Sequence, residues 1–118
     1  HNWAKAGSAE AMFAGFAKAL KPGGVLGVVE HRAKVGTPLD KQIKSGYMTE
    51  DYVIQMAKDA GFKLDAKSEI NANLKDNADH PNGVWNLLPS LRGVKDDDKP
   101  NIISIGESDR MTLRFIKE

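Results

Sequence analysis

Hydrophobic residues near the start of the chain recur at the spacing of one helical face. They are Ala9, Met12, Phe13, Phe16, Ala17 and Leu20, at positions i, i+3, i+4, i+7, i+8 and i+11. Ser8 supplies a side-chain oxygen for the N-cap, and Pro22 followed by two glycines ends the pattern. This spacing predicts a helix over 8–20.

Three segments carry the pattern of strands. The nearly continuous apolar run that opens residues 25–31 is typical of a strand covered on both faces. Residues 63–70 alternate, and the candidate inward residues are Leu64, Ala66 and Ile70. Residues 110–117 alternate most cleanly, with Met111, Leu113 and Phe115 on one face and Thr112, Arg114 and Ile116 on the other.

A second helix is predicted over 49–60, where Thr49 is an N-cap and acidic residues fill the first turn. Residues 31–48 resemble a loop. Residues 71–109 hold three of the five prolines and predict a long loop or lid. The order of elements predicts a small α/β fold in which 1–118 form a single domain.

Charge and composition exclude several classes of function. Seventeen basic and sixteen acidic residues give a net charge of +1, which predicts no nucleic-acid partner. Short apolar runs predict no membrane span, so we expect a soluble chain, cytoplasmic or periplasmic. The absence of cysteine excludes disulfides and thiolate chemistry. A first residue that is His rather than Met is expected of a processed product or a fragment.

Four segments together resemble a known family. FAKALKPGGVLGVVEHRA is similar to the helix and fifth strand of class I S-adenosylmethionine-dependent methyltransferases, GYMTEDYVIQMAKDAGFKL to the next helix and sixth strand, and DRMTLRFIKE to the seventh strand. With DHPNGVWNLLPSLR, the chain resembles the C-terminal half of a bacterial group described as predicted methyltransferases. The resemblance implies a partial Rossmann-like sheet in which the last strand lies antiparallel between the other two, with helices packed on it.

The resemblance also implies a cofactor and a missing part. Class I enzymes hold S-adenosylmethionine mainly on a glycine-rich loop and an acidic residue of the N-terminal half, which have no counterpart in these residues. Methyl transfer is therefore expected only if another chain or oligomerisation completes the fold, and an isolated monomer should bind the cofactor weakly. Two alternatives are a non-enzymatic truncated remnant or oligomeric binding module, and a small enzyme with a different activity that uses His31 or His80.

Candidate site residues lie near the predicted strand ends. His31 follows the first strand and is a candidate base for a methyl acceptor, or part of a solvated strand exit. His1 and Asn2 match the loop that borders the methyl-transfer site, which implies cofactor contacts, or they form a frayed terminus. Tyr47 lies where the resembling group faces the mouth of the site, or closes the core edge.

The long loop holds candidates for binding a small-molecule acceptor. These are Asp79, His80, Trp85 and Asn86, since Trp and His rings stack on planar molecules. The alternative is a satellite core of Trp85, Leu87 and Leu88 beneath the loop. In either case we expect the only buried points of the segment to be Trp85, Leu87, Leu88 and Leu91.

No metal site is predicted. The acidic run Asp96-Asp97-Asp98 with Asp109 lacks the Gly and closing Glu of a calcium loop, so it resembles a solvated turn. The three histidines, His1, His31 and His80, have no ligand spacing in sequence.

The sequence predicts an open edge on the first strand, because the strand that would pair with it in the whole family fold has no counterpart. Val25–Val29 would present apolar residues without proline or inward charge. We therefore expect a homo-oligomer formed through this strand and helix 8–20, or a separate chain that supplies the missing half.

Overall fold

The computed structural model describes all 118 residues as a mixed α/β fold with one three-stranded sheet. The elements in chain order are α1 (Asn2–Lys5), α2 (Ala9–Ala19), β1 (Val25–His31), α3 (Leu39–Ser45), α4 (Glu50–Asp59), β2 (Phe62–Ser68), a 3₁₀ helix (Gly83–Asn86), α5 (Lys99–Ile105) and β3 (Arg110–Lys117).

The last strand lies in the middle of the sheet. The order is β1-β3-β2, and β3 is antiparallel to both neighbours. Phe115 pairs with Leu26 on one side and with Leu64 on the other. The prediction that the final strand would lie antiparallel between the other two is confirmed.

The core covers one face of the sheet. Met111, Leu113 and Phe115 of β3 are buried, and they pack in one cluster with apolar residues of both α2 and α4. The prediction of cover on both faces of β1 is wrong, because Val25 and Val29 are each 56% exposed. Both long helices lie on the same side, so the second face of β1 has no element above it.

The inward residues of β2 differ from the prediction at its far end. Ile70 is 81% exposed, since β2 ends at Ser68. A shift in the pairing register between Leu64 and Ala66 breaks the alternation before that point. Phe62, the first residue of β2, was not among the candidate inward residues, but it is 2% exposed and joins the core.

Residues 31–48 contain a helix that the apolar pattern did not predict. The α3 helix begins after Pro38 and ends at Gly46, whose positive φ of 77° suits glycine. Its buried residue is polar: the Gln42 amide donates to the Thr37 carbonyl at 2.8 Å and accepts from the Thr49 N–H at 3.0 Å. These hydrogen bonds anchor α3 where an apolar face would normally do so.

The segment 71–109 contains more regular secondary structure than predicted. It contains the 3₁₀ helix and α5, and of the four expected buried residues only Leu87 is fully buried. The expectation that Trp85, Leu87, Leu88 and Leu91 would be its only buried points is wrong. Val84 and three polar residues are also buried, namely Asp76, Asn86 and Ser108. Ser108 contacts His31 of β1, whereas the hydrogen bonds of Asp76 and Asn86 lie within the segment or reach Tyr47.

Candidate functional site

His31 is the last residue of β1 and marks the centre of the candidate site. Its Nδ1 lies 2.5 Å from the Ser108 hydroxyl, and its register partner is Arg110 at the start of β3. Arg32, the next residue, bridges in parallel to Met48. His31 is half-buried in this corner.

The electrostatic surroundings of His31 favour its neutral form. Burial lowers the pKa of the imidazole, the Glu30 carboxylate opposes this effect, and the Arg110 guanidinium lowers the pKa further. A neutral imidazole at neutral pH is able to accept a proton. The Nε2 atom has no partner within the chain, and since no buried polar side-chain atom lacks one, Nε2 is open to solvent.

His1 and Glu30 lie directly beside this ring. His1 Nδ1 donates to Glu30 Oε1 at 2.8 Å, and the backbone N–H of His31 donates to the same oxygen at 2.8 Å. The His1 and His31 ring centroids are 4.8 Å apart. His1 is held by its contact with Glu30, and α1 begins directly after it at Asn2. Asn2 itself is exposed.

Tyr47 is 1% exposed and joins the second half of the site to the first. Its hydroxyl donates to Asp76 Oδ2 at 2.8 Å, and burial together with this bond raises the Tyr47 pKa far above its ordinary value. Tyr47 packs in a small cluster with Ala33 and Val84. This position matches the alternative of an aromatic residue at the core edge, although the ring also lines a recess beside His80.

Asp76 is the most heavily bonded side chain of the site. Its carboxylate accepts hydrogen bonds from Tyr47, from His80 Nε2 at 2.9 Å, and from the backbone N–H groups of Ala78 and Asp109, both at 2.9 Å. Burial raises the pKa of Asp76, but these four bonds together outweigh burial and hold the pKa below its ordinary value. Asp76 is therefore a buried carboxylate.

Trp85 extends the site on the His1 side. Its ring centroid lies 6.3 Å from that of His1, and Lys5 Nζ lies 5.1 Å above the Trp85 ring. His31 and Tyr47 are 6.3 Å apart, and Tyr47 and His80 are 6.5 Å apart. The structure thus places five predicted residues in one aromatic row, which runs in the order His80, Tyr47, His31, His1 and Trp85.

Two other predicted residues lie away from this row. Asn86 is buried, and its side chain accepts from the Asn82 N–H at 2.9 Å and donates to the Arg92 carbonyl at 2.6 Å. Both bonds join the Asn86 side chain to backbone groups of its own loop, so the amide is not free to bind an acceptor. Asp79 is exposed beside His80 and lines the same recess.

Arg32 organises a set of ion pairs behind the site that the sequence did not signal. Its guanidinium pairs with Glu50 at 2.8 Å, Glu69 at 2.9 Å and Asp109 at 2.9 Å, and these bonds raise its pKa further. Asp109 is therefore engaged with Arg32 instead of the acidic run. In that run Asp96 pairs with Lys99 at 2.9 Å, as expected of a solvated turn.

Two recesses flank the row. One, of about 360 Å³, is mainly apolar and lies between α1, α2, β1 and α4, where Trp3, Phe16 and Tyr52 are among its lining residues. The other, of about 380 Å³, is polar, and its lining includes three lysines and His80. Either recess has the size of a small-molecule site.

Comparisons with known proteins give no relative: no family model, no curated protein and no solved structure matches this chain. None of the helices combines the length and apolar character that crossing a bilayer requires.

Proposed function

We propose that this chain is the C-terminal half of a class I S-adenosylmethionine-dependent methyltransferase, and that it supplies the acceptor side of the active site. The observation that carries the proposal is the strand order, because β3 lies antiparallel between β1 and β2. The resemblance implied a Rossmann-like sheet in which the seventh strand is inserted between the fifth and sixth. It rested on the KPGG turn, the AGF ending and the final strand, and the fifth, sixth and seventh strands correspond to β1, β2 and β3. Fold and sequence resemblance therefore support the same family.

In this proposal the chain positions a small-molecule acceptor and removes its proton. Methyl transfer depends mostly on holding the acceptor atom in line with the sulfonium methyl group. His31 acts as the base, since its Nε2 is open to solvent and burial favours the neutral imidazole. Trp85, at one end of the aromatic row, offers a ring on which a planar acceptor stacks. The His80 side chain at the other end is only 8% exposed and is bonded to Asp76, so it limits the depth of the site.

The cofactor S-adenosylmethionine is held mainly by the missing half. His1 and Asn2 are the residues of this chain that border the cofactor in the proposal, beside the carboxyl end of β1 where ligands of open α/β sheets bind. In this proposal the glycine-rich loop and the ribose-binding acid lie outside these 118 residues, since neither has a counterpart in them. We prefer the enzyme to a non-enzymatic remnant because His31 combines a solvent-open Nε2 with an Nδ1 held by Ser108, the geometry that a positioned base requires.

We propose that β1 is the edge at which this completion occurs. β1 is an outer strand of the sheet, Val25 and Val29 are exposed on it, and no proline interrupts it. Such an edge is a template for pairing with another chain. The apolar recess beside α2 lies next to it, with Trp3 44% exposed at its rim. The partner is a second copy in a homo-oligomer, or the chain that carries the missing half.

We expect Val29→Lys to weaken self-association by about tenfold or more, because a new charge would be desolvated in the interface. Val29 is the suitable position, since Val28 packs against the core. Val35→Lys is the matched control, because Val35 is 93% exposed and lies outside β1. Sedimentation velocity over a range of concentrations measures the effect. An unmodified chain that stays monomeric at every concentration would refute the homo-oligomer.

The proposed function is tested first with the isolated chain. A verified monomer should bind S-adenosylmethionine weakly in calorimetry, because it lacks the glycine loop that brings backbone N–H groups and a helix N-terminus to this ligand. A dissociation constant in the low micromolar range for that monomer would mean that these residues contain a complete cofactor site. The proposal that the cofactor is held mainly by other residues would then be wrong.

A further inference from the structure

His1, Glu30 and His31 converge at the carboxyl end of β1. One ligand atom from each of the three side chains lies within 4.8 Å of the other two, and all three residues are half-buried. His1 and His31 are thirty positions apart, and the fold brings their ring centroids to 4.8 Å. The side chains of Glu30 and His31, neighbours on one strand, meet because the Glu30 carboxylate folds back to the N–H of His31.

A second set of contacts orients these groups. His31 Nδ1 lies 2.5 Å from the buried Ser108 hydroxyl, which leaves Nε2 as the free ring nitrogen. Histidines that ligate metals usually engage their other ring nitrogen in a hydrogen bond of this kind, which fixes the ring. Glu30 is fixed as well, since its Oε1 accepts from both His1 Nδ1 and the N–H of His31.

We propose that His1, Glu30 and His31 bind a divalent transition-metal ion of the zinc class. Two imidazoles and one carboxylate form a donor set that zinc uses with a fourth position open. Ligand atoms on a tetrahedral zinc ion stand about 3.4 Å apart, given bonds of about 2.1 Å. That separation lies between the 2.8 Å of the His1–Glu30 pair and the 4.8 Å limit of the cluster. Coordination through His1 Nδ1 releases to solvent the proton that this nitrogen donates to Glu30.

The surroundings allow such an ion. A recess of about 300 Å³ opens beside the three ligands and is also lined by Val29 and Arg110. It has room for a water molecule or an oxygen atom of a ligand at the open position. Two cations face the site. Arg110 is partly balanced by Glu107 at 3.7 Å, and the α-ammonium group of His1 pairs with Glu30 Oε2 at 2.5 Å.

An ion bound to His31 Nε2 would occupy the lone pair that the proposed general base needs, so the two roles exclude each other while the ion is bound. Zinc binding is measured without S-adenosylmethionine, so the two proposals fail separately. The experiment is calorimetric titration of the chain, free of any polyhistidine tag, with zinc chloride, with the visible absorption of bound Co²⁺ as a second readout. We expect one ion per chain. Glu30→Gln and His31→Ala should each weaken binding by about 100-fold, and Ser108→Ala by about 10-fold through loss of the bracing contact.

Glu10→Gln is the matched control for Glu30→Gln, since it makes the same change at an exposed position of α2 and should leave zinc affinity unchanged. Circular dichroism verifies the fold of each variant, and Glu30→Gln, which keeps the side-chain size, decides the outcome if His31→Ala does not fold. The absence of saturable binding by the unmodified chain would overturn the site. Zinc affinity that is the same in Glu30→Gln as in Glu10→Gln would also overturn it.

Discussion

Asp76→Ala should lower the free energy of unfolding by about 3 kcal/mol, the range seen when one partner is removed from a buried charged network. The Asp76 side chain is 0% exposed. Its loss leaves the Tyr47 hydroxyl without its acceptor inside the protein, together with the N–H groups of Ala78 and Asp109. These groups join the long loop to β3 and to the residue that follows α3, so the whole corner that carries His31 should loosen.

Chemical denaturation measures this change. Asp79→Ala is the matched control, because Asp79 is an exposed aspartate three positions away and its replacement should alter stability by less than about 0.5 kcal/mol. Equal losses in the two variants would show that the Asp76 network contributes nothing specific to the fold.

The same carboxylate predicts a pH dependence with a definite sign. Burial raises the Asp76 pKa, but the hydrogen bonds outweigh burial and place the folded-state pKa below the ordinary 3.8. Its contribution is therefore present above the unfolded-state pKa and is lost as the pH falls through the folded-state pKa. Asp76→Asn should accordingly show a shallower loss of stability than the unmodified chain between about pH 5 and pH 2.

Gly83→Ala should cost about 3 kcal/mol, because it combines left-handed strain with an overlap between backbones. Gly83 has a φ of +62°, and a Cβ atom there would lie 2.1 Å from the Ser45 carbonyl oxygen. The 3₁₀ helix would have to move away from the last turn of α3, taking Trp85 with it.

Gly36→Ala is the control that introduces left-handed strain without any overlap between backbones. Gly36 has a φ of +84°, but a Cβ atom would meet no other atom within 4 Å. Its replacement should cost only about 1–2 kcal/mol, the usual penalty for a left-handed residue with a side chain. Thermal or chemical unfolding compares the two. A loss in Gly83→Ala no larger than in Gly36→Ala would contradict the close contact between the 3₁₀ helix and α3.

The elements that sequence predicted well are those whose apolar residues face the core. Helix α2 and strand β3 repeat apolar residues at 3.6 and 2 positions, and burial against each other maintains those periods. Helix α3 packs a single apolar residue, Ile43, against the core, and its buried residue is Gln42, which bonds to Thr37 and Thr49. A helix that depends on tertiary hydrogen bonds leaves no local period to detect.

The candidate site divides in the same way. His31 and Trp85 were recognisable from residue type and from their place at a strand end or in the long loop. Asp76 was not, because its partners Tyr47 and Asp109 lie 29 and 33 positions away. The approach of His1 to His31 is likewise created by the fold, so ligand spacing in sequence gave no sign of a metal site. The catalytic role of His31 and the acceptor-binding role of Trp85 and His80 stay predictions.

Methyl transfer by the native assembly tests the central claim most directly. The chain, tagged at its C-terminus and purified with whatever completes it, is supplied with S-adenosylmethionine that carries a labelled methyl group and with small molecules from the same cells. We expect the label to enter one of them, and His31→Ala to lower the rate by about 100-fold, as loss of a general base does, without changing cofactor affinity. An assembly that neither binds the cofactor nor transfers the label would contradict the claim, and so would a rate unaffected by His31→Ala.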